Sequence, residues 1–268
     1  MGNRFAILCP MLVHCALRAP APVNLGARVQ MKPWNLNETR DQIARVYGRD
    51  QLTLARDSLR SIDDRQIYAW VHYQDAVQLI DRYVREHLLN SSLLEAIHAK
   101  DDDYSIEFDI FIRKVGAHFI ACIQSIHTLP DILAHAVYYS LGINLTTDAM
   151  EERSITAGSV TRLLATVADA VTIGLQLTQL TSSGLFRHLS ALANHSKHRS
   201  IVFPFMNEDW TGTRPDRYMV MFSAFTYNRE EFDQVDAKDF LSKESDRCSR
   251  LIVEIGHELN KVLLSRAP

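Results

Sequence analysis

The chain has 268 residues, 47% of them apolar and 23% charged, with 29 basic and 32 acidic side chains. That composition excludes a disordered chain, a collagen-like repeat and a disulfide-stapled miniature domain. Ten glycines and eight prolines are few breakers for this length, so long helices are expected.

Residues 1–30 differ from the rest. They carry Arg4, Arg18 and Arg28 but no acid, three prolines, and Cys9 and Cys15. Three readings are open: a start codon set upstream of the true one at Met31, a signal peptide, or a tail. Against the signal peptide, Pro10, His14 and Cys15 interrupt the Phe5–Leu17 apolar run, and Arg18 adjoins the Ala19-Pro20-Ala21 cleavage candidate. The expected division is a doubtful extension, 1–30, and one mainly helical domain, 31–268. From Met31 onward 26 bases face 32 acids, a balance of −6. Only Cys122 and Cys248 remain there, read as buried thiols in a reducing, cytoplasmic setting. The most apolar long segment, 157–181, contains Arg162 and Asp169, so no membrane span is expected.

In chain order, Asn35 or Asn37 caps a helix from about Glu38, and Gly48 breaks it before a segment at 50–60. Ser61 with Asp63 and Asp64 reads as a new helix start, followed by an apolar stripe of spacing three and four from Ile67 to Val84. Asn90-Ser91-Ser92 ends that helix and caps a short one at 92–100. Ser105 opens a helix to about Thr128, Pro130 starts another over 131–141, and Gly142 closes it. After a loop at 143–156, a helix is expected over 158–181 and another over 185–198. The runs 200–206 and 218–226 are β-like, joined by a long loop, with Pro204 marking an edge. A last helix covers about 237–265. The fold class is mainly α: a multi-helix bundle with a small C-terminal β-hairpin, about 200–226, packed on it, and a final long helix.

Catalytic motifs are sparse. There is no nucleophile elbow, no Walker loop and no Gly-x-Gly-x-x-Gly, and no cofactor is indicated. Glu95-x-x-His98 and Glu254-x-x-His257 have the Glu-x-x-His spacing of carboxylate-bridged metal bundles, with Glu86 and Glu107 as the nearest further carboxylates. Twelve glutamates and eleven histidines give about half of one such pair by chance. Arg65/His72, Arg82/His87, Arg113/His118 and Arg250/His257 have Arg-x(4–6)-His spacing. With the all-helical pattern, this resembles the HEPN-like RNases, helical bundles in which that histidine acts on the ribose 2′-hydroxyl. The resemblance implies RNA cleavage, with Arg113 and His118 best placed, although a lysine follows Arg113 where that family usually has asparagine or aspartate.

The segment with most chemistry is 186–199. From residue 170 to 207 there is no acid, yet Arg187, Lys197, Arg199, His188, His195 and His198 lie within it. At 100° per residue Arg187, Asn194 and His198 share a face opposite the apolar one. Arg187, Asn194, His195, Lys197, His198 and Arg199 are therefore the candidate binding set for an anion or a partner's acidic patch. His118 and His198 are the candidate catalytic histidines. Capping of the helix C-terminus accounts for the same cations without a ligand. Glu107, Lys114 and His118 align on one helix face, and Trp210 with Arg214 and Arg217 forms an aromatic, basic loop. The expected function is a helical interaction or regulatory protein of bacterial type. It would act through a protein partner or a second copy of itself. The alternatives are a HEPN-like nucleic-acid-binding or RNA-cleaving protein and a metal-binding bundle through Glu95, His98, Glu254 and His257. Nucleic acid or a phosphate ligand is the alternative partner, and whether the chain is an enzyme stays open.

Overall fold

The computed structural model describes residues 6–7, 32–89, 92–97 and 102–266. The fold is mainly helical. After the short pair β1 (Ala6–Ile7) and β2 (Trp34–Asn35), the helices are α1 (Leu36–Tyr47) and α2 (Arg49–Tyr83), a π-helical turn at Val84–Leu88, then α3 (Leu93–Ile97) and α4 (Asp102–Ser140). They continue as α5 (Ala157–Leu164), α6 (Val171–Ser182) and α7 (Gly184–His198). Strands β3 (Pro204–Glu208), β4 (Tyr218–Phe222), β5 (Phe225–Tyr227), β6 (Glu230–Phe232) and β7 (Val235–Asp236) precede the final helix α8 (Ala237–Ser265). The readings for residues 1–30 lie, apart from Ala6 and Ile7, outside the described residues.

Several boundaries follow from capping chemistry. The Asn35 side chain accepts from the Glu38 amide, and Gly48 ends α1 at φ +88. Gly142, at φ +65, follows α4. Ser92 and Glu95 cap α3 reciprocally: each backbone amide donates to the other's side chain, at 2.8 and 3.1 Å.

Three expected boundaries differ. Ser61 starts no helix; its hydroxyl donates back to the Asp57 carbonyl inside a continuous α2, whose stripe Ala55, Leu59 and Ile62 is fully buried. Pro130 sits inside α4 instead of opening a new helix. A proline there loses one backbone bond, but Ile126, Leu129, Leu133 and Ala134 on either side are all buried, and that packing holds the helix together. The single helix expected over 158–181 is two. A Thr156–Ser159 capping box starts α5, the chain turns at 165–170, and α6 returns along it, with Gly174 against the Leu164 Cβ.

Contacts group the chain into two compact units. The first comprises residues up to Ile67, Thr128–Phe186 and Ser245 onward. At its centre Trp34 is fully buried and donates from Nε1 to the Thr39 hydroxyl at 2.8 Å, which donates to Asn260 Oδ1 at 2.6 Å. Gly256 of α8 faces the indole so closely that a Cβ there would overlap the ring atoms. Near the end of α8, Arg266 makes two 2.6 Å bonds to the Asp169 carboxylate and donates to the Tyr47 hydroxyl and the Leu141 carbonyl. This pairing holds the Asp169 carboxyl below the usual range.

The second unit comprises Tyr68–His127 and Arg187–Glu244. Its three-stranded sheet has the order β3-β4-β7, antiparallel, with Pro204 opposite Phe222 and Glu208 opposite Tyr218. Pro204 therefore lies on an edge strand, as expected of a residue lacking the ladder donor. The sheet packs on α4: a Cβ at Gly116 would come 2.6 Å from the Pro204 ring, and Phe119 meets Phe222 edge-on at 6.2 Å. β5 and β6 form a separate hairpin, turned by Asn228 and Arg229 at positive φ. Cys122 and Cys248 are free and buried, and burial pushes the Cys122 thiol up to about 12.

Candidate functional site

Within the second unit, α2 and α4 bring three side chains to one point. His72 and Asp75 are three residues apart on α2, which puts them on one side of that helix. His118 comes from α4. Its Nδ1 lies 3.3 Å from the His72 Nδ1 and 3.6 Å from the Asp75 carboxylate. One ligand-type atom from each of the three lies within 4.8 Å of the other two, and all three residues are half-buried. The rings are tilted 50° to one another, at 5.5 Å between centroids. Among the described residues, this is the group of three that comes together in this way.

The 186–199 residues are placed differently from one another. Arg187 and His198 are eleven residues apart, about 16 Å along the helix, and Arg187 is ion-paired with Glu230 at 3.1 Å. One small anion does not span them. His195 is a structural cap: it is buried, its Nδ1 bonds the Ser200 carbonyl at 2.5 Å, and its own carbonyl accepts from the amides of Arg199 and Ser200. Asn194 donates to the Ser190 hydroxyl, which also meets His127 Nε2 at 3.2 Å. His188 packs among Phe225, Phe232 and Phe240, and burial holds its pKa below 6.5 against the opposing pull of Asp233. The outward group is Lys197, His198 and Arg199, all exposed, with Arg199 reaching the Thr226 carbonyl at 3.4 Å. Beyond it Val202 is buried while Ile201 and Phe203 are 64% and 52% exposed, the alternation of an extended segment.

In the 207–217 loop, Asp209 accepts from Thr211 and the Arg214 amide, and Trp210 stands 70% exposed. Arg217 grips Glu208 at 2.6 and 2.9 Å, and the other Glu208 oxygen caps the Leu93 amide of α3. Glu208 is buried, but its charge is fully bonded.

The other candidates are engaged elsewhere. Glu95 caps α3, His257 meets the Pro33 carbonyl at 3.3 Å, and His98 lies outside the described residues. Glu254 is half-buried in the first unit. Arg113 pairs with Asp109 at 2.6 Å. It points about 140° around α4 from His118, so the two do not meet one phosphate. His87 stacks on Tyr83 and approaches Glu107 at 3.7 Å. Asp75 escaped the sequence reading. A His-x-x-Asp pair on one helix was the available signal, but its third member stands on another helix.

Comparison with protein-family models, curated proteins and solved structures finds no match. Among the described residues, no helix is long and apolar enough to cross a membrane.

Proposed function

We propose that the chain is an interaction protein whose second unit docks an acidic segment of a protein partner on the end of α7 and the residues that follow it. One observation carries this reading: Lys197, His198 and Arg199 are exposed and run directly into exposed Ile201 and Phe203, within a stretch that has no acid from 170 to 207. Charge at the rim with large apolar side chains beside it is the chemistry of a protein interface. Nucleic acid fits less well. The chain carries a net −3, and the patch offers only two permanent cations, Lys197 and Arg199, for a phosphate backbone.

The test is a photo-cross-linking side chain placed at Phe203 in living cells, with Leu145 of the first unit, also exposed, as the control position. A defined protein adduct at Phe203, lost in Lys197→Glu/Arg199→Glu and absent at Leu145, is the expected result. RNA adducts at Phe203 would transfer the surface to nucleic acid, and adducts indifferent to the charge reversal would remove it from consideration.

A further inference from the structure

His72, Asp75 and His118 are poorly bonded to one another as they stand. For the two Nδ1 atoms at 3.3 Å to bond, one ring must donate and the other accept. The carboxylate lies at 3.6 Å, beyond a good hydrogen bond. Three groups of metal-ligand type thus converge on contacts longer than a good hydrogen bond.

We infer that these three side chains bind one divalent transition-metal ion of the zinc type, with a fourth position left to water. The two spacings from His118 support it, and the third, between His72 and Asp75, lies within 4.8 Å. Ligand atoms about 2.0–2.1 Å from a tetrahedral ion lie about 3.3–3.4 Å from each other. The His72–His118 nitrogen separation of 3.3 Å already has that value, and the Asp75–His118 separation of 3.6 Å reaches it by a small turn of the carboxylate. The ligand set supports it too. Two imidazoles and one carboxylate suit zinc, cobalt or nickel, whereas magnesium and calcium take oxygen ligands. Three protein ligands also leave the open position of a reactive zinc site, not the closed four-ligand shell of a structural one. The scaffold is rigid, because His72 and Asp75 share one face of α2 and His118 is held on α4. Access exists: the His118 and Asp75 side chains are 30% and 47% exposed. A ligand nitrogen carries no proton, so in the bound form the His118 ring proton sits on Nε2 and Nδ1 faces the ion. This site is independent of the docking surface at α7.

The experiment uses the full chain, stripped with a chelator and titrated with Zn²⁺ against a chromophoric indicator, then with Co²⁺ followed by absorption. Expected are one equivalent of Zn²⁺, a tetrahedral Co²⁺ spectrum without a thiolate band, and affinity at least 100-fold weaker in both His118→Ala and Asp75→Asn. Lys114→Ala, one turn from His118 and exposed, should bind as the wild type does. Zn²⁺ shifts of the His72 and His118 ring resonances in the unmutated protein read the same site without any variant. Affinity unchanged in both ligand variants, a thiolate band, or ring resonances indifferent to Zn²⁺ would each overturn the assignment.

Discussion

Two polar clusters show what distinguishes a structural network from a binding site. Around Arg266, donors and acceptors match: one guanidinium serves a carboxylate, a hydroxyl and a carbonyl, with every bond at 2.6–2.9 Å. Around His118 they do not match. His118 Nδ1 faces a second imidazole nitrogen at 3.3 Å and a carboxylate at 3.6 Å, both longer than any bond of the first cluster. The first cluster is complete within the chain. The second becomes complete when a cation joins it.

The contrast can be broken at several points. The largest effect is expected at the closed end, where Gly256→Ala drives a methyl group into the buried Trp34 ring. Overpacking of this kind costs about 3 kcal/mol, and a lower denaturation midpoint in urea measures it. Next comes Zn²⁺. At a hundredfold excess over its dissociation constant it should stabilise the wild type by about 2.7 kcal/mol, and His118→Ala should show no such gain. A thermal melt with and without the ion decides this. Third, Arg266→Met leaves Asp169 unpaired and deletes four hydrogen bonds. The cost is about 2 kcal/mol by chemical denaturation, whereas Asp75→Asn without metal should cost less than about 1 kcal/mol.

The smallest effect is a pH dependence. Burial among phenylalanines depresses the His188 pKa, so the folded state favours the neutral ring. As pH falls below 6.5 the unfolded chain takes up this proton first, and stability drops until the folded pKa is passed. His188→Phe should therefore lose less melting temperature on acidification than the wild type.

What the sequence made legible was local. Asn35, Gly48 and Gly142 marked true boundaries because a cap or a positive φ acts within one turn. The bounds of α8 and the edge position of Pro204 were likewise readable from pattern alone. Pro130 misled because its local cost is outweighed by buried neighbours that composition does not reveal. His195 belonged to the candidate binding set and is a helix cap, because the Ser200 carbonyl that engages it is set by the turn of the chain. Asp75 and His72 form only a two-residue His-x-x-Asp pair, which is short of a ligand set. Their partner His118 stands on a different helix, and that meeting belongs to packing.

A cation site at His72, Asp75 and His118 differs from an ordinary polar contact in what it does to a bound ion. The most direct measurement is the zinc-edge X-ray absorption spectrum of the full chain loaded with one equivalent of Zn²⁺. Four nitrogen and oxygen neighbours at about 2.0–2.1 Å, two imidazoles among them, are the expected shell. Sulfur at about 2.3 Å, or six oxygens and no imidazole, would contradict it.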